Sequence, residues 1–420
     1  MFETALRPDA QRYIETIGEA DILVGIPSYK NAKTIGHVAR AAAEGMVRYF
    51  PDLRPILVNT DGGSTDDTMQ VFMDTPVPQP VEKMATVYQG LLGKGSALRA
   101  IFEVAQALEV EACVVVEADL QSITPEWIKA LAGPIIEGGF DYVTPYYSRH
   151  KHEAMLTKNI AYPMTRMLYG KDIRQPIGGD FGLSGKVAGL YAERDVWETD
   201  VARAGIDIWM TTLAINEGLR ICQAPLGTKT HDFEDPIVGI EMTFLQVVGT
   251  LFRLMDIYRR RWRRISGSEP IPLSVEAEWV EPQPVPAMTK ELLEAFRTGV
   301  KRRRRAWQTI LLPENLDAVK EIAAQDDEEF TFPADLWAKV LFDFAVVYNK
   351  GEVDPDKVVL ALIPLYHGRA ASFIKETEGM TSLEAEKVIN AQAITFEALK
   401  PYLIERWDSY VPWAHGLYQM

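Results

Sequence analysis

The first 230 or so residues alternate short apolar runs with stretches of helical period. The runs ILVGIP (22–27), PILVNT (55–60), MATVYQG (84–90), ACVVVEAD (112–119) and YVTPYY (142–147) are rich in Val, Ile and Tyr and predict strands. Between them, helices are predicted from near Lys33, Thr65, Gly95 and Thr124. Pro125 suits the first position of the last helix, where the N–H it lacks has no helical partner. Strand and helix in turn predict an α/β unit with a mostly parallel sheet covered on both faces. Ligands on such sheets collect beyond the carboxyl ends of the strands, so the residues that follow each run are where chemistry is expected.

The pattern changes at 267–288, where repeated prolines forbid a continuous helix and predict a linker or surface strap. Helical periodicity then returns over 289–307, 333–349, 353–376 and 382–407. The expected organisation is a catalytic α/β domain over 1–266, the linker, and an all-α domain over 289–420.

Charge narrows the partners. The chain carries 44 Lys and Arg against 59 Asp and Glu, a net charge of -15, which argues against a general nucleic-acid binder. The basic runs Arg259 to Arg264 and Lys301 to Arg305 read as solvated faces or as contacts within a homo-oligomer. Cys113 and Cys222 lie in apolar runs and suggest no disulfide framework. No stretch approaches the roughly 20 apolar residues that span a bilayer, and the opening residues are polar, so a cytoplasmic protein with no membrane partner is expected.

Three strand ends carry candidate chemistry. Glu117-Ala118-Asp119 closes the fourth run, and two carboxylates at i and i+2 can meet one hard divalent cation, Mg or Mn; a solvated strand end is the alternative. The turn Asn59 to Thr68 places Asp61 at a strand end, where it can accept from a nucleobase or ribose, while Ser64 or Thr65 can cap the next helix. Gly93-Lys94-Gly95 sets backbone N–H groups and a cation at one helix start, a combination that favours phosphate. No Walker A spacing and no G-x-G-x-x-G follows a strand, which counts against kinases and dinucleotide oxidoreductases. Further on, Arg149, Glu153 and Thr157 fall at i, i+4 and i+8 of a predicted loop-to-helix segment. A cation, an acceptor and a hydroxyl along one stripe suit a small hydroxy acid, and an exposed helix with an ion pair is the plain alternative.

Taken together, these stretches and the loop Pro27-Ser28-Tyr29-Lys30-Asn31 resemble the GT-A retaining glycosyltransferases, in particular the mannosylglycerate, glucosylglycerate and, more distantly, glucosyl-3-phosphoglycerate synthases. The resemblance rests on the Asp61 turn, on EAD where the family has D-x-D, on QPIGGD (175–180), on GID (205–207) and on KTH (229–231). It implies a donor site formed by Pro27, Ser28, Tyr29, Asn31, Asp61, Lys94, Glu117, Gly178 and Gly179. It also implies catalytic carboxylates at Asp207 and Asp180, and a divalent cation held by Asp119, His231 and Glu117. Arg149, Glu153, Ala154 and Thr157 match the family's acceptor stretch, with Met155 where the phosphoglycerate enzymes tend to carry an Arg. The implied partners are an NDP-hexose and glycerate or phosphoglycerate. A metal-dependent nucleotidyltransferase and a non-catalytic sugar-nucleotide sensor remain as alternatives.

Overall fold

In the computed structural model, which describes residues 3–231 and 237–412, the five predicted runs become β1 (Ile22–Ser28), β2 (Pro55–Asp61), β3 (Glu82–Val87), β4 (Ala112–Val115) and β5 (Tyr142–Ser148). Two strands the periodicity did not single out, β6 (Phe181–Ser184) and β7 (Ile221–Thr228), complete one seven-stranded sheet of order β3-β2-β1-β4-β6-β5-β7. β6 runs antiparallel to β4 and β5; the other neighbours are parallel. The mostly parallel α/β expectation therefore holds. β2 and β4 are buried throughout, as an unbroken apolar run requires of a strand covered on both faces.

β4 stops at Val115 rather than at Asp119, so Glu117 and Asp119 stand on the turn beyond the strand end. The helix Lys94–Ala107 begins hard against the segment 201–203, where a Cβ on Gly95 would lie 1.8 Å from the Val201 carbonyl oxygen. Only glycine fits there, and that close approach anchors the Lys94 end of the helix.

The sheet belongs to a unit made of Met1–Ser148, Ile173–Phe233 and Ile271–Val280; Arg149–Asp172, Glu234–Pro270 and Glu281–Met420 make a second unit. The boundaries thus differ from the expected 1–266, 267–288 and 289–420. The helices Tyr162–Tyr169 and Ile240–Ile257 pack on Ser382–Ala398 and Pro355–Glu376, and so go with the later helices. The expected strap divides as well. Glu269–Pro270 pairs with Lys171–Asp172 in the second unit, whereas Leu273 bridges Gln223 of β7 in the first. There the Gln223 N–H donates to the Pro272 carbonyl and the Ser274 N–H to the Gln223 carbonyl, each at 2.9 Å.

From 289 to 409 the second unit's regular elements are all helices, as expected. The predicted 382–407 segment is two helices, Ser382–Ala398 and Lys400–Ser409, the second opening with Pro401 in its first turn. The Trp262, Trp307 and Trp337 side chains are fully buried, and each indole N–H donates to a backbone carbonyl, of Met255, Ala361 and Asn159 respectively. Asp343, also fully buried, accepts from the Leu312 N–H (3.0 Å), Asn315 (2.8 Å), Tyr402 (2.8 Å) and Arg406 (3.0 Å). Among the described residues no helix is long and apolar enough to cross a membrane.

Candidate functional site

At the ends of β1 and β2 the Asp61 carboxylate is fully buried. Its Oδ1 accepts from the N–H groups of Gly63 (2.8 Å) and Ser64 (2.6 Å), and its Oδ2 from the hydroxyls of Ser28 (2.7 Å) and Ser64 (2.8 Å). The oxygens expected to face a nucleobase are occupied in holding the turn together. Ser64, expected to cap a helix, instead serves Asp61 and accepts from the Lys30 N–H at 2.7 Å; the helix starts only at Thr68. Pro27 lies opposite Thr60 in the β1–β2 register, and the Tyr29 ring is half exposed beside Gly62. Asn31 accepts from the Tyr29 N–H at 2.8 Å.

The second group of residues meets beyond β4 and β7. Glu117 is bridged by two ammoniums: Lys94 donates to its Oε1 at 2.9 Å and Lys229 to its Oε2 at 2.6 Å. Lys94 also donates to Asp207 Oδ2 at 3.1 Å and to the Gly179 carbonyl at 3.3 Å. Lys229 also donates to the Gly178 carbonyl at 2.8 Å and to Asp180 Oδ2 at 2.9 Å. Asp180, fully buried, further accepts from the Glu117 N–H at 2.9 Å and from the Tyr147 hydroxyl. Gly179 has φ +93°, and a Cβ there would come within 2.5 Å of Glu117 Oε1, so the loop must carry glycine for the glutamate arm to lie beneath it.

Three carboxylates share two ammoniums, and the electrostatics follow. Burial alone would raise the Glu117 acid, but Lys229 and Lys94 outweigh it and hold the carboxyl well below the usual range. Burial works against the Lys94 ammonium too, and Asp207 and Glu117 more than reverse that. Asp207 is left worst served: burial raises its pKa and Lys94 offsets this only in part, both carboxylate oxygens lying 3.1 Å from that one ammonium. The N–H groups of Gly93 and Gly95, expected to meet phosphate, donate to the Tyr88 hydroxyl (3.0 Å) and the Arg203 carbonyl (3.2 Å). The cation of the Gly-Lys-Gly segment remains; those two amides are spent.

Of the three expected metal ligands, Glu117 does not fit, because both its oxygens are held by ammoniums. Among the described residues no three His, Cys, Asp or Glu side chains gather as a metal-holding set. Asp119 and His231 do face each other electrically: burial and Glu117 raise the Asp119 carboxyl, and His231 pulls it back down. One carboxylate and one imidazole fit a Mg or Mn ion that takes its remaining oxygens from phosphate and water. Asp232, the next residue of the expected loop, lies outside the described residues.

The four expected acceptor residues belong to the second unit. Arg149 and Glu153 lie in a turn, not on a helix, because Ala154 has φ +49° and the helical path begins at Met155. The helical stripe expected from their spacing is therefore not formed, although Arg149 Nε stays 3.7 Å from Glu153 Oε2. Thr157 is buried at the start of the π-helix Thr157–Ala161. The nearby cations are engaged with carbonyls. Lys151 donates to those of Thr377 and Met380, both at 2.7 Å, and Lys158 to those of His150 (2.5 Å), Lys151 (3.0 Å) and Glu153 (2.7 Å). Burial, with His150 and Lys151, pushes the His152 imidazole down to about 4, so it is neutral near pH 7.

Two contributors escaped the sequence. Lys229 stood in the KTH segment without a role, and Tyr147 ended a strand with nothing to mark its contact with Asp180.

Residues 86–234 match the family model described as "Mannosylglycerate synthase, GT domain". Over that stretch, which holds Lys94, Glu117, Asp119, Asp180, Asp207, Lys229 and His231, the chain is similar to this family. Among solved structures, glucosyl-3-phosphoglycerate synthase from Mycobacterium tuberculosis with phosphoglyceric acid is 20% identical over 60% of this chain and 86% of its own, with a TM-score of 0.44. The same enzyme with Mn2+, UDP and phosphoglyceric acid is 19% identical over 60% of this chain and 84% of its own, again at 0.44. A structure described only as a mycobacterial protein is 21% identical over 66% of this chain and 86% of its own, also at 0.44. No curated protein matches.

Proposed function

We propose that this chain is a retaining hexosyltransferase that moves glucose or mannose from a nucleoside diphosphate sugar to the 2-hydroxyl of D-glycerate, making a compatible solute inside the cell. The reading rests on the meeting of Lys94, Glu117, Asp180, Asp207 and Lys229 at the strand ends, within the stretch that matches the family model. Lys94 turns its ammonium to the diphosphate. Gly178, Gly179 and Asp180 border the sugar, and the Asp207 carboxylate, both of whose oxygens share the single Lys94 ammonium, accepts a sugar hydroxyl. Asp119 and His231 would hold Mg or Mn, which would supply Lewis-acid neutralisation of the leaving diphosphate. With the acceptor on the leaving-group side, departing diphosphate oxygen takes the proton of the attacking 2-hydroxyl, and configuration is retained. Arg149 grips the glycerate carboxylate, and Glu153, Ala154 and Thr157 orient its hydroxyls.

Glycerate is preferred to 3-phosphoglycerate on one observation: Lys151 and Lys158, the cations beside this segment, are already engaged with five backbone carbonyls. A phosphate buried beside Met155 would lack a charged partner. The test is a matrix of UDP- and GDP-linked glucose and mannose against glycerate and 3-phosphoglycerate, with the released nucleotide identified. A tenfold preference in kcat/KM for 3-phosphoglycerate, about 1.4 kcal/mol, moves the chain to the phosphoglycerate enzymes. Pyrophosphate release points to a nucleotidyltransferase, and donor binding without turnover points to a sensor.

A further inference from the structure

Lys229 is nearly inaccessible, its side chain 3% exposed, and its ammonium lies 5.2 Å from the centre of the Tyr147 ring. An ammonium has three N–H groups, and those of Lys229 go to Glu117 Oε2 (2.6 Å), the Gly178 carbonyl (2.8 Å) and Asp180 Oδ2 (2.9 Å). None is left for a ligand. Lys94 makes longer contacts, at 2.9, 3.1 and 3.3 Å, and its side chain is 23% exposed, so it is the end of the array that can exchange a partner for a bound group. Glu117 joins the two, one oxygen to each ammonium.

We infer that Lys229 is a positioning residue that acts through Glu117 on Lys94, and that a glutamate rather than an aspartate is needed at 117 to span both ammoniums. The inference rests on the donor-site reading above. Lys229 fixes one carboxylate oxygen, which leaves the other pointing at Lys94 and holds that ammonium where a diphosphate would lie. An aspartate, one methylene shorter, reaches one lysine or the other. Gly179, whose missing Cβ makes room for the Glu117 carboxylate, belongs to the same device.

The experiment measures UDP and GDP affinity by calorimetry in the presence of Mn2+, using the nucleotide the wild-type chain binds. The variants are Lys94→Ala, Lys229→Met, their double mutant, Lys229→Arg and Glu117→Asp, with thermal unfolding run alongside. Lys94→Ala and Lys229→Met are each expected to weaken binding about tenfold, and the double mutant to be no worse than the weaker single. Lys229→Arg restores most of the affinity, because it keeps a cation with several donors at that place. Glu117→Asp weakens nucleotide binding and raises donor KM, with acceptor KM unchanged. If Lys229→Met fails to fold, Glu117→Asp and Lys229→Arg carry the test. Wild-type affinity in Lys229→Met or in Glu117→Asp, or losses that multiply in the double mutant, overturns the inference. An unchanged affinity in Lys94→Ala instead removes the donor-site reading itself, and this inference with it.

Discussion

Asp343 and Glu117 each sit at the centre of a largely buried ionic network, one in each unit, and the two networks close differently. Around Asp343, a single guanidinium, a phenol, an amide and a backbone N–H converge on one carboxylate. Around Glu117, three carboxylates divide two ammoniums, and both oxygens of Asp207 depend on the single ammonium of Lys94. The first arrangement is balanced and buys nothing beyond a joined set of helices. The second carries a formal excess of one negative charge, with an exposed edge at Lys94, and folding alone gives no reason to collect it. The lesson is that burial does not separate a structural ion network from a functional one, whereas the balance of partners does.

The largest effect is expected beside the Glu117 network, where Asp119→Ala should abolish transfer in a steady-state assay; EDTA is expected to do the same, reversibly, with Mg or Mn restoring activity. Full turnover in a metal-stripped sample would sink the metal assignment. On the structural side, Asp343→Ala leaves Arg406 buried without its partner and should cost about 3–5 kcal/mol in urea unfolding, with nucleotide affinity unaltered in the folded protein. Arg149→Ala should raise the glycerate KM roughly thirtyfold, about 2 kcal/mol for a charge-assisted contact, while donor affinity stays put. Lys151→Ala is the quiet control, expected to change that KM by less than about twofold, since its ammonium serves two carbonyls.

The elements that could be read in the chain were those with a strong single period. β1, β2 and β5 match their apolar runs to within a residue, and the long helices of 289–376 emerge at nearly the expected bounds. β6 was too short and glycine-bearing to stand out, and β7 mixes polar residues and a proline because its edge position lets it. At the site, strand-end logic singled out Asp61, Glu117 and Lys94, which stand at the end of β2, beyond β4 and at the start of the helix Lys94–Ala107. Their partners were not legible. Glu117 is 112 residues from Lys229 and Lys94 is 113 from Asp207, and no spacing rule joins residues across such distances. For the same reason Asp61 could be seen as an acceptor but not as one already supplied by Ser28, which lies 33 residues upstream on a neighbouring strand.

The strap over 271–280 bears on how the chain is made. β7 is an edge strand that pairs with β5 on one side, and on its other side the Gln223 backbone bonds to 272–274, a segment made some 50 residues later. During synthesis the outer side of β7 therefore lacks these two backbone hydrogen bonds until residues 272–274 have been made. Because three stretches of each unit alternate, the chain passes five times from one unit to the other, and no single cut separates one from the other. A chain stopped at 266 keeps every donor-site side chain but leaves Gln223 open to strand addition, so it should be recovered as aggregate, whereas one stopped at 280 retains the guard but lacks most of the second unit.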